Sequence, residues 1–220
     1  MIDVDFKVVN WPMKIIELGG RLTMSKRQLM EHVASKVMAC EKCGLWKKRK
    51  NPVLGEGNLD ADVLLIGEAP GYWEDAKGKP FVGSAGEILD ETLSKIGLSR
   101  DSVYITNILK CRPPENRDPS ASEIKACVPY LNQQIRIIKP KIIVTLGRHS
   151  TPYIFSKCGL AGGGITKVHG RTYEVKLLGL RVLPVPTYHP AAVLYNPKYR
   201  GALERDFQLL RRELEGLGSV

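Results

Sequence analysis

The sequence predicts an α/β fold, a three-layer α/β/α sandwich in which helices flank a mostly parallel central sheet of about four strands. Short apolar runs, typical of strands buried on both faces, alternate with longer segments whose apolar residues recur at helical spacing. This alternation favours parallel strands, because each parallel pair needs a crossover connection that is usually a helix. Of the 220 residues, 43% are hydrophobic and 25% are charged, which excludes a disordered chain and a coiled coil.

The predicted elements begin at residue 25 and continue to residue 216. Ser25 can cap the first helix, and residues 120–123 fit a capping box that begins a central helix. Helices are predicted at residues 26–38, 83–97, 120–138, 150–157 and 199–215, and strands at 62–67, 103–105, 141–146, 172–178 and 180–185. The last two strands are expected to form a hairpin that turns at Gly179. We interpret residues 25–216 as a single domain and residues 1–24 as an N-terminal extension.

The chain is basic, with 33 Lys and Arg against 23 Asp and Glu and a net charge of +10. Such a surface attracts polyanions, of which nucleic acid is the commonest and anionic lipid is another. The absence of a signal peptide and of a run of about 18 apolar residues predicts a cytoplasmic protein with no membrane segment. In that reducing compartment the cysteines are expected to be thiols or metal ligands rather than disulfides.

Polar residues follow the predicted parallel strands, at the edge where open α/β sheets bind ligands. The first strand is followed by residues 67–71 with Glu74 close behind, and the second ends at Asn107. His149 follows the third strand and His189 follows the last one. The pattern predicts an active site that several loops assemble together.

Four of the five cysteines have the spacing of a metal site. Cys40 and Cys43 form a C-x2-C pair, and Cys111 and Cys127 lie far downstream. Such a set can hold a tetrahedral zinc ion or an iron–sulfur cluster, and the spacing does not choose between the two. The alternative is that Cys111 and Cys127 are buried as small hydrophobic residues. Cys158 has no partner by spacing and is interpreted as structural.

Six short motifs lie along the predicted domain. They are Cys40-x2-Cys43, Gly67-Glu-Ala-Pro-Gly71, Lys79-Pro-Phe-Val-Gly83, Thr106-Asn107, Lys110-Cys-Arg-Pro-Pro114 with Asn116, and His189-Pro190. Together they resemble the iron–sulfur uracil-DNA glycosylases, the thermostable family-4 group of the uracil-DNA glycosylase superfamily, from about Ser25 to about Gly216. The resemblance implies a 4Fe–4S cluster on Cys40, Cys43, Cys111 and Cys127. It also implies a monofunctional base excision repair enzyme that extrudes uracil from DNA and hydrolyses its N-glycosidic bond, leaving an abasic site.

The resemblance further implies a pocket for the extruded uracil. Its predicted residues are Gly67, Ala69, Pro70, Gly71, Phe81 and Asn107. The amide of Asn107 presents a donor and an acceptor side by side, which complements O4 and N3–H of uracil and mismatches cytosine. Phe81 matches the aromatic residue that stacks on the base. The small residues beside Gly67 let the main chain approach the base and the phosphates closely.

Three residues are the predicted catalytic groups. His189 matches the histidine that donates a hydrogen bond to O2 of the leaving uracil, where negative charge develops. Glu68 is the predicted carboxylate that stabilises the sugar cation and orients the attacking water. Glu74 is the reserve candidate for that role.

A second group of residues is predicted to contact DNA. Val193, Leu194 and Tyr195 follow the His-Pro turn and are expected to wedge between bases. The predicted polar and phosphate contacts are Arg112, Asn116, Arg148, Lys198 and Arg200. The expected partner is uracil-containing DNA, single- or double-stranded, with replication or repair proteins as further partners and no membrane. The protein is expected to be a monomer.

Other functions stay open at this point. A uracil-DNA-binding iron–sulfur protein without catalysis is one alternative, and a redox carrier is another. A related crosslinker captures the sugar covalently and carries a histidine in a loop after the Cys-Arg-Pro segment, whereas residues 113–122 contain no histidine here.

Overall fold

Six strands form one mixed sheet in residues 24–218, the part of the chain that the computed structural model describes. They are β1 (Glu56–Gly57), β2 (Val63–Gly67), β3 (Tyr104–Asn107), β4 (Ile142–Leu146), β5 (Val175–Leu177) and β6 (Leu180–Thr187). Their order across the sheet is β1-β3-β2-β4-β6-β5. The four central strands are parallel, and β1 and β5 pair antiparallel at the two edges. The predicted α/β class is confirmed.

With the two edge strands, the sheet has six strands instead of the predicted number of about four. The hairpin of β5 and β6 turns at Gly179, as predicted, and Gly179 has a φ of 87°. The strand β1 was missing from the prediction because its two residues, Glu56 and Gly57, carry no apolar pattern.

Helices cover both faces of the sheet. They are α1 (Lys26–Met38), α2 (Tyr72–Lys77), α3 (Ser84–Ser94), α4 (Ala121–Ile138), α5 (Ser150–Cys158), α6 (Ile165–Val168), α7 (Ala191–Tyr195) and α8 (Arg200–Gly216). The predicted N-cap Ser25 begins α1, where it forms a capping box with Gln28, and the predicted capping box at Ser120 begins α4. The three shortest helices, α2, α6 and α7, were not predicted because they have six residues or fewer and show no apolar period.

Two hydrophobic cores fill the space between the sheet and its helices. Successive side chains of a strand point to opposite faces. In β2, Leu64 and Ile66 therefore pack in the core that includes α1 and α4, while Val63 and Leu65 pack in the core that includes α3 and α8. Each such buried side chain contributes about 1.5–3 kcal/mol, and together they produce the predicted three layers.

The strand register brings the predicted site residues to one edge. Gly67 pairs with Asn107 across β2 and β3, and Leu146 pairs with Thr187 across β4 and β6. His189 follows β6 by two residues. The four central strands thus end side by side at the edge where the functional loops begin.

The predicted N-terminal extension, residues 1–24, lies outside the described residues apart from Met24. Within residues 24–218, none of the helices combines the length and the apolar character that crossing a membrane would need.

Gly86→Ala should destabilise the fold, although alanine is the better helix former. A Cβ atom at Gly86, in α3, would lie 1.9 Å from the carbonyl oxygen of Phe81. That carbonyl also accepts a hydrogen bond from Arg100, which restrains it. Overpacking costs about 1–3 kcal/mol, whereas glycine to alanine inside a helix normally stabilises by about 1 kcal/mol. Thermal unfolding of the variant measures the difference.

Gly201→Ala is the matched control for this prediction. Gly201 lies in α8, where a Cβ atom meets only the flexible Arg205 side chain, at 3.4 Å. This variant should keep or raise the unfolding midpoint. Equal midpoints for the two variants would contradict the proposed clash.

Candidate active site

A single cavity of about 780 Å³ lies at the carboxyl ends of the central strands. The predicted site residues that line it are Glu68, Ala69, Pro70, Gly71, Glu74, Phe81, Asn107, Asn116, Arg148, His189, Leu194 and Tyr195. They come from the segments that follow β2, β3, β4 and β6. Most of the predicted residues are thus brought together in one place.

Gly67 allows two predicted pocket residues to come together. A Cβ atom at Gly67 would lie 2.3 Å from Oδ1 of Asn107 and 2.7 Å from Cζ of Phe81. Real Cβ atoms do not approach other atoms this closely, so any other residue would displace one of the two side chains. The glycine is needed for the pocket to have this shape.

Asn107 presents an unpaired polar atom to this pocket. The residue is 2% exposed, and its Oδ1 has no hydrogen-bond partner among residues 24–218. Leaving a buried acceptor unsatisfied costs about 1–3 kcal/mol. The amide oxygen is therefore available to accept a hydrogen bond from an N–H group of a ligand.

A buried lysine fixes the strand end that carries Asn107. The ammonium group of Lys110 donates to the backbone oxygen of Asn107 over 2.7 Å, to Oγ1 of Thr106 over 2.6 Å and to Oε1 of Gln134 over 2.7 Å. Gln134 in turn donates to the backbone oxygen of Leu54 over 2.9 Å. These bonds satisfy all three protons of the ammonium group and hold Asn107 from behind. In the sequence, Lys110 stands out only as part of a motif, and this supporting role was not predicted.

Phe81 and His189 face each other in the cavity. Their ring centroids lie 5.5 Å apart with 26° between the ring planes. Phe81 has a φ of 51°, in the left-handed region that non-glycine residues rarely adopt. Arg100 donates to the carbonyl oxygens of Pro80 and Phe81 and stabilises this conformation. Strained backbone of this kind is often found where a side chain must be held in a functional position.

His189 is a neutral hydrogen-bond donor. The backbone N–H of Ala191 donates to its Nδ1 over 3.1 Å, so the neutral ring carries its proton on Nε2. Burial lowers the pKa of His189 to about 4, against the opposing effect of Glu74. The imidazole is therefore uncharged at pH 7 and can donate through Nε2.

Glu68 lies beside an imidazole and a second carboxylate. Nε2 of His149 is 3.6 Å from Oε2 of Glu68 and 3.5 Å from Oδ1 of Asp118. Burial raises the pKa of Glu68, the charge of His149 lowers it, and the charge of Asp118 raises it. Arg148 makes two hydrogen bonds with Asp118, of 2.7 and 2.8 Å. His149 follows a predicted strand in the sequence, whereas Asp118 lies in a loop without a motif of its own and was not predicted.

Glu74 is bound by backbone groups. Its Oε2 accepts from the N–H of Gly71 over 3.0 Å, and its Oε1 accepts from Val82 over 2.8 Å and from Gly83 over 3.1 Å. The carboxylate therefore joins the loop after β2 to the loop before α3. This arrangement favours Glu68 over Glu74 as the residue that would orient a water molecule.

The four predicted ligand cysteines surround one apolar hollow. Cys40, Cys43, Cys111 and Cys127 line it together with apolar residues that include Val37, Leu45 and Leu109. No three of these sulfur atoms, all on described residues, lie within 4.8 Å of one another. A single zinc ion with Zn–S bonds of about 2.3 Å needs sulfur atoms closer than this. The described positions of these sulfur atoms therefore do not match a single zinc ion.

The surroundings of the sulfur atoms also fit a metal group. Arg49 donates to Sγ of Cys111 over 3.2 Å, and the backbone N–H of Lys110 donates to Sγ of Cys127 over 3.2 Å. Burial raises the pKa of the Cys127 thiol to about 11. Burial also raises the pKa of the Cys111 thiol. Free thiolates are thus disfavoured at these two cysteines, and the positive charge of bound metal ions would favour their deprotonation.

Sequence comparison agrees with the geometry of the cavity. The sequence pattern of the Uracil DNA glycosylase superfamily matches residues 54–214. The chain belongs to this superfamily. The type-4 uracil-DNA glycosylase of Sulfurisphaera tokodaii is 55% identical over 83% of this chain and 83% of its own. The enzyme of the same name from Saccharolobus solfataricus is 53% identical over 84% of this chain and 86% of its own. The one from Archaeoglobus fulgidus is 48% identical over 81% of this chain and 90% of its own.

The predicted wedge of this uracil-DNA glycosylase superfamily member is only partly exposed. Leu194 is 50% exposed and Tyr195 is 89% exposed, and both lie at the rim of the cavity. Val193 is instead 3% exposed, because α7 turns it into the core that contains α3 and α8. Val193 is therefore not exposed to contact bases, and Leu194 and Tyr195 remain as the predicted wedge.

The predicted phosphate contacts differ in their surroundings. Arg112 donates to Oδ1 of Asn116 over 2.7 Å. Arg148 is paired with Asp118, and Arg200 donates to Glu91 over 2.9 Å. Lys198 lies exposed in the turn Pro197–Tyr199. Arg148 and Arg200 would have to exchange a carboxylate for a phosphate, so these contacts stay predictions.

The free energy of unfolding should fall as the pH drops from about 6.5 to about 4, in part through His189. In this window the unfolded histidine binds a proton, whereas the folded one stays neutral, so protons stabilise the unfolded chain. His189 contributes at most about 3 kcal/mol to the pH dependence of the free energy of unfolding. This stabilisation is fully present above pH 6.5 and is lost as the pH falls to about 4. Urea unfolding at several pH values across the window measures it.

His189→Asn should flatten this part of the pH dependence. His32→Asn is the control, since His32 is exposed on α1, and it should leave the wild-type curve unchanged. Parallel curves for wild type and His189→Asn would show that His189 is not buried in its neutral form.

Proposed function

We propose that this protein is a uracil-DNA glycosylase, which hydrolyses the bond between uracil and deoxyribose in DNA and leaves free uracil and an abasic site. The observation that carries the proposal is the unpaired Oδ1 of Asn107, which lies in the same cavity as Phe81 and the Nε2–H group of His189. The similarity to proteins named type-4 uracil-DNA glycosylases supports it.

Asn107 would select uracil over cytosine. Its Oδ1 accepts a bond from N3–H of uracil, and its amide N–H donates to O4. Cytosine offers the opposite pattern, an acceptor at N3 and a donor at the exocyclic amine. The residue is buried, and Lys110 donates to its backbone oxygen, so the strand end that carries the amide is held in place. Each unpaired group then costs about 1–3 kcal/mol.

His189 would stabilise the leaving base. When the glycosidic bond breaks, its electrons move to uracil, and negative charge develops at O2. A neutral donor aimed at that oxygen stabilises the transition state more than the ground state. The hydrogen bond from Ala191 keeps the donating proton of His189 on Nε2.

Glu68 would act on the sugar side of the bond. Its carboxylate can stabilise the cationic sugar, orient a water molecule toward the anomeric carbon and accept the proton that this water loses. Nε2 of His149 lies 3.6 Å from this carboxylate and 3.5 Å from that of Asp118. Among the described residues that line the cavity there is no lysine, which supports a hydrolytic mechanism without an amine nucleophile.

The base must leave the duplex to reach this cavity. Leu194 and Tyr195 at the rim would occupy the space that the extruded nucleotide leaves, at the cost of unstacking a base step. The positive net charge of +10 would attract the DNA backbone. Single-stranded uracil-DNA avoids the cost of base-pair opening, so both kinds of strand are expected substrates.

The hollow between Cys40, Cys43, Cys111 and Cys127 would hold a 4Fe–4S cluster. The cluster supplies covalent crosslinks between segments that are distant in the sequence. The protein groups that surround it have a structural role: Arg49 and the backbone of Lys110 donate to two of the sulfur atoms. The side chain of Lys110 extends from there to Asn107, so the cysteine segment supports the pocket directly.

The cytoplasmic location, the monomeric state and contacts with replication or repair proteins stay predictions from the sequence. They are consistent with base excision repair of deaminated cytosine, the process to which uracil removal belongs.

Release of uracil from labelled DNA tests the proposed activity. The wild-type protein should release free uracil from single- and double-stranded DNA with one uracil and leave an alkali-labile site. Asn107→Asp should lower the single-turnover rate about 10- to 100-fold, because an ionised carboxylate cannot donate to O4. Asn58→Asp is the control, since Asn58 is exposed and only caps a turn through its oxygen.

Two results would contradict this proposal. One is a wild-type protein that releases no uracil, and the other is an unchanged rate for Asn107→Asp. A protein–DNA adduct that survives detergent, formed without free uracil, would indicate the crosslinking reaction instead.

Cys127→Ser should lose iron and lower the melting temperature, because one ligand of the cluster is removed. Cys158→Ser is the matched control, since Cys158 lies at the end of α5 and is not among the residues around the hollow. The measurement is iron, sulfide and zinc content after anaerobic purification, with thermal unfolding. Equimolar iron and sulfide are expected in wild type and in the control. Zinc without iron in the wild-type protein would refute the cluster.

A further inference from the structure

Two large aromatic side chains stand exposed at the rim of the cavity. Tyr72 is 49% exposed and Trp73 is 56% exposed, in the first turn of α2. We propose that they form a stacking platform for an unpaired nucleobase next to the uracil in single-stranded DNA. This inference rests on the proposed function and adds a second base-binding site to it.

The platform is continuous with the pocket for uracil. Tyr72 and Trp73 line the same cavity as Asn107 and His189. Trp73 also packs beside Gly83, where a Cβ atom would lie 3.4 Å from its Cδ1. A strand whose uracil enters the pocket therefore passes the two aromatic rings within the same cavity.

The folded protein does not use these rings in its core. Neither Tyr72 nor Trp73 belongs to the two hydrophobic cores on the faces of the sheet. Their ring centroids lie 5.1 Å apart with 85° between the planes, an edge-to-face arrangement. In this geometry the edge of one ring covers part of a face of the other. About half of each side chain is still exposed and can contact a ligand. A base that stacks there would take the place of a cation that now lies over a ring face.

Three cations surround the two rings. The guanidinium of Arg112 lies 5.2 Å and the ammonium of Lys50 lies 5.7 Å from the ring centroid of Tyr72. The ammonium of Lys77 lies 5.9 Å from that of Trp73. Positive groups at this distance can bind the phosphates on either side of a stacked base.

The acidic residues of the same helix point away from this surface. The carboxylate of Glu74 accepts bonds from backbone N–H groups of the neighbouring loops. Asp75 is 3% exposed and accepts from the N–H of Lys50 over 3.0 Å. The outward surface of α2 therefore combines aromatic rings with positive charge, which is the composition of sites that bind single-stranded nucleic acid.

The occupant is a nucleobase rather than a protein side chain, because three cations favour a chain with a phosphate at every unit. It is an unpaired base, since a base inside a duplex has both faces covered by its neighbours. The site is expected to tolerate any base, because every base has a flat aromatic face.

Trp73 fluorescence tests the contact without any need for catalysis. In a Trp11→Phe, Trp46→Phe background, Trp73 is the one remaining tryptophan. A uracil-free single-stranded oligonucleotide should quench its emission, and a strand of abasic sugar phosphates of equal length should not. Equal quenching by both strands would overturn the proposal. This readout is independent of uracil release, so failure of the platform and failure of the glycosylase activity are distinguishable.

A double-mutant cycle between protein and DNA tests how much stacking on Trp73 contributes to the affinity for single-stranded DNA. Trp73→Ala should weaken binding of a single-stranded uracil oligonucleotide about 5- to 150-fold, the range for one lost base–aromatic stack. The same substitution should change nothing when the nucleotides on both sides of the uracil are abasic. Trp73→Phe should restore most of the affinity. Equal losses on both strands, or no loss on the normal strand, would refute stacking.

Lys77→Gln and Lys157→Gln form a matched pair of controls. Each lysine lies 5.9 Å from an aromatic ring, but Lys157 is placed over Tyr153 in α5, outside the cavity. Lys77→Gln should weaken binding of single-stranded DNA and reduce its salt dependence, whereas Lys157→Gln should do neither. Equal effects would mean that the charge acts from the whole surface and that α2 is not a specific site. Should Trp73→Ala fail to fold, the wild-type protein on normal and abasic strands still decides the question.

Discussion

The missing side chain at Gly67 is the constraint on which the site depends. It lets β2 end against Asn107 of β3 and against the ring of Phe81, closer than any Cβ atom would permit. Phe81 in turn requires Gly86, because its strained backbone occupies the space of a side chain in α3. Gly67 and Gly86 thus determine how closely the Asn107 amide and the Phe81 ring approach the end of β2. The positions of these two side chains in turn determine the shape of the cavity.

A second constraint links this cavity to the cysteine hollow. Lys110 lies between the two: its side chain supports the strand end with Asn107, and its backbone N–H donates to Cys127. A fully buried lysine is costly unless each proton finds an acceptor, and here all three do. A displacement of Cys127 would therefore disturb Lys110 and, through its hydrogen bond, the backbone of Asn107 in the base pocket. The rest of the fold need not change for this to happen.

The protein uses burial to assign different charges to its groups. The imidazole of His189 stays neutral in an enclosed pocket, where a cation would be costly. Burial raises the pKa of Glu68, which lines the same cavity, and His149 lies within 4 Å of the carboxylates of both Glu68 and Asp118. On the outside, α2 turns its carboxylates inward and its aromatic rings and cations outward. A basic protein thus keeps an electrostatically mixed site beneath a positive rim.

The sequence by itself determined the α/β class, the four parallel strands, the long helices and the set of four cysteines, because hydrophobic period, capping boxes and motif spacing are local signals. It also predicted that Asn107 and His189 share one edge of the sheet, since both follow parallel strands, and the resemblance to the glycosylases implied Phe81 in the same pocket. Only the tertiary structure decided which side chains face that edge. It placed Val193 in the core, Asp118 beside Glu68 and Lys110 behind Asn107, and it exposed Tyr72 and Trp73. The physical reason is that a side chain's direction depends on the packing of segments far apart in the chain, and a short helix such as α2 or α7 carries no periodic pattern that would reveal it.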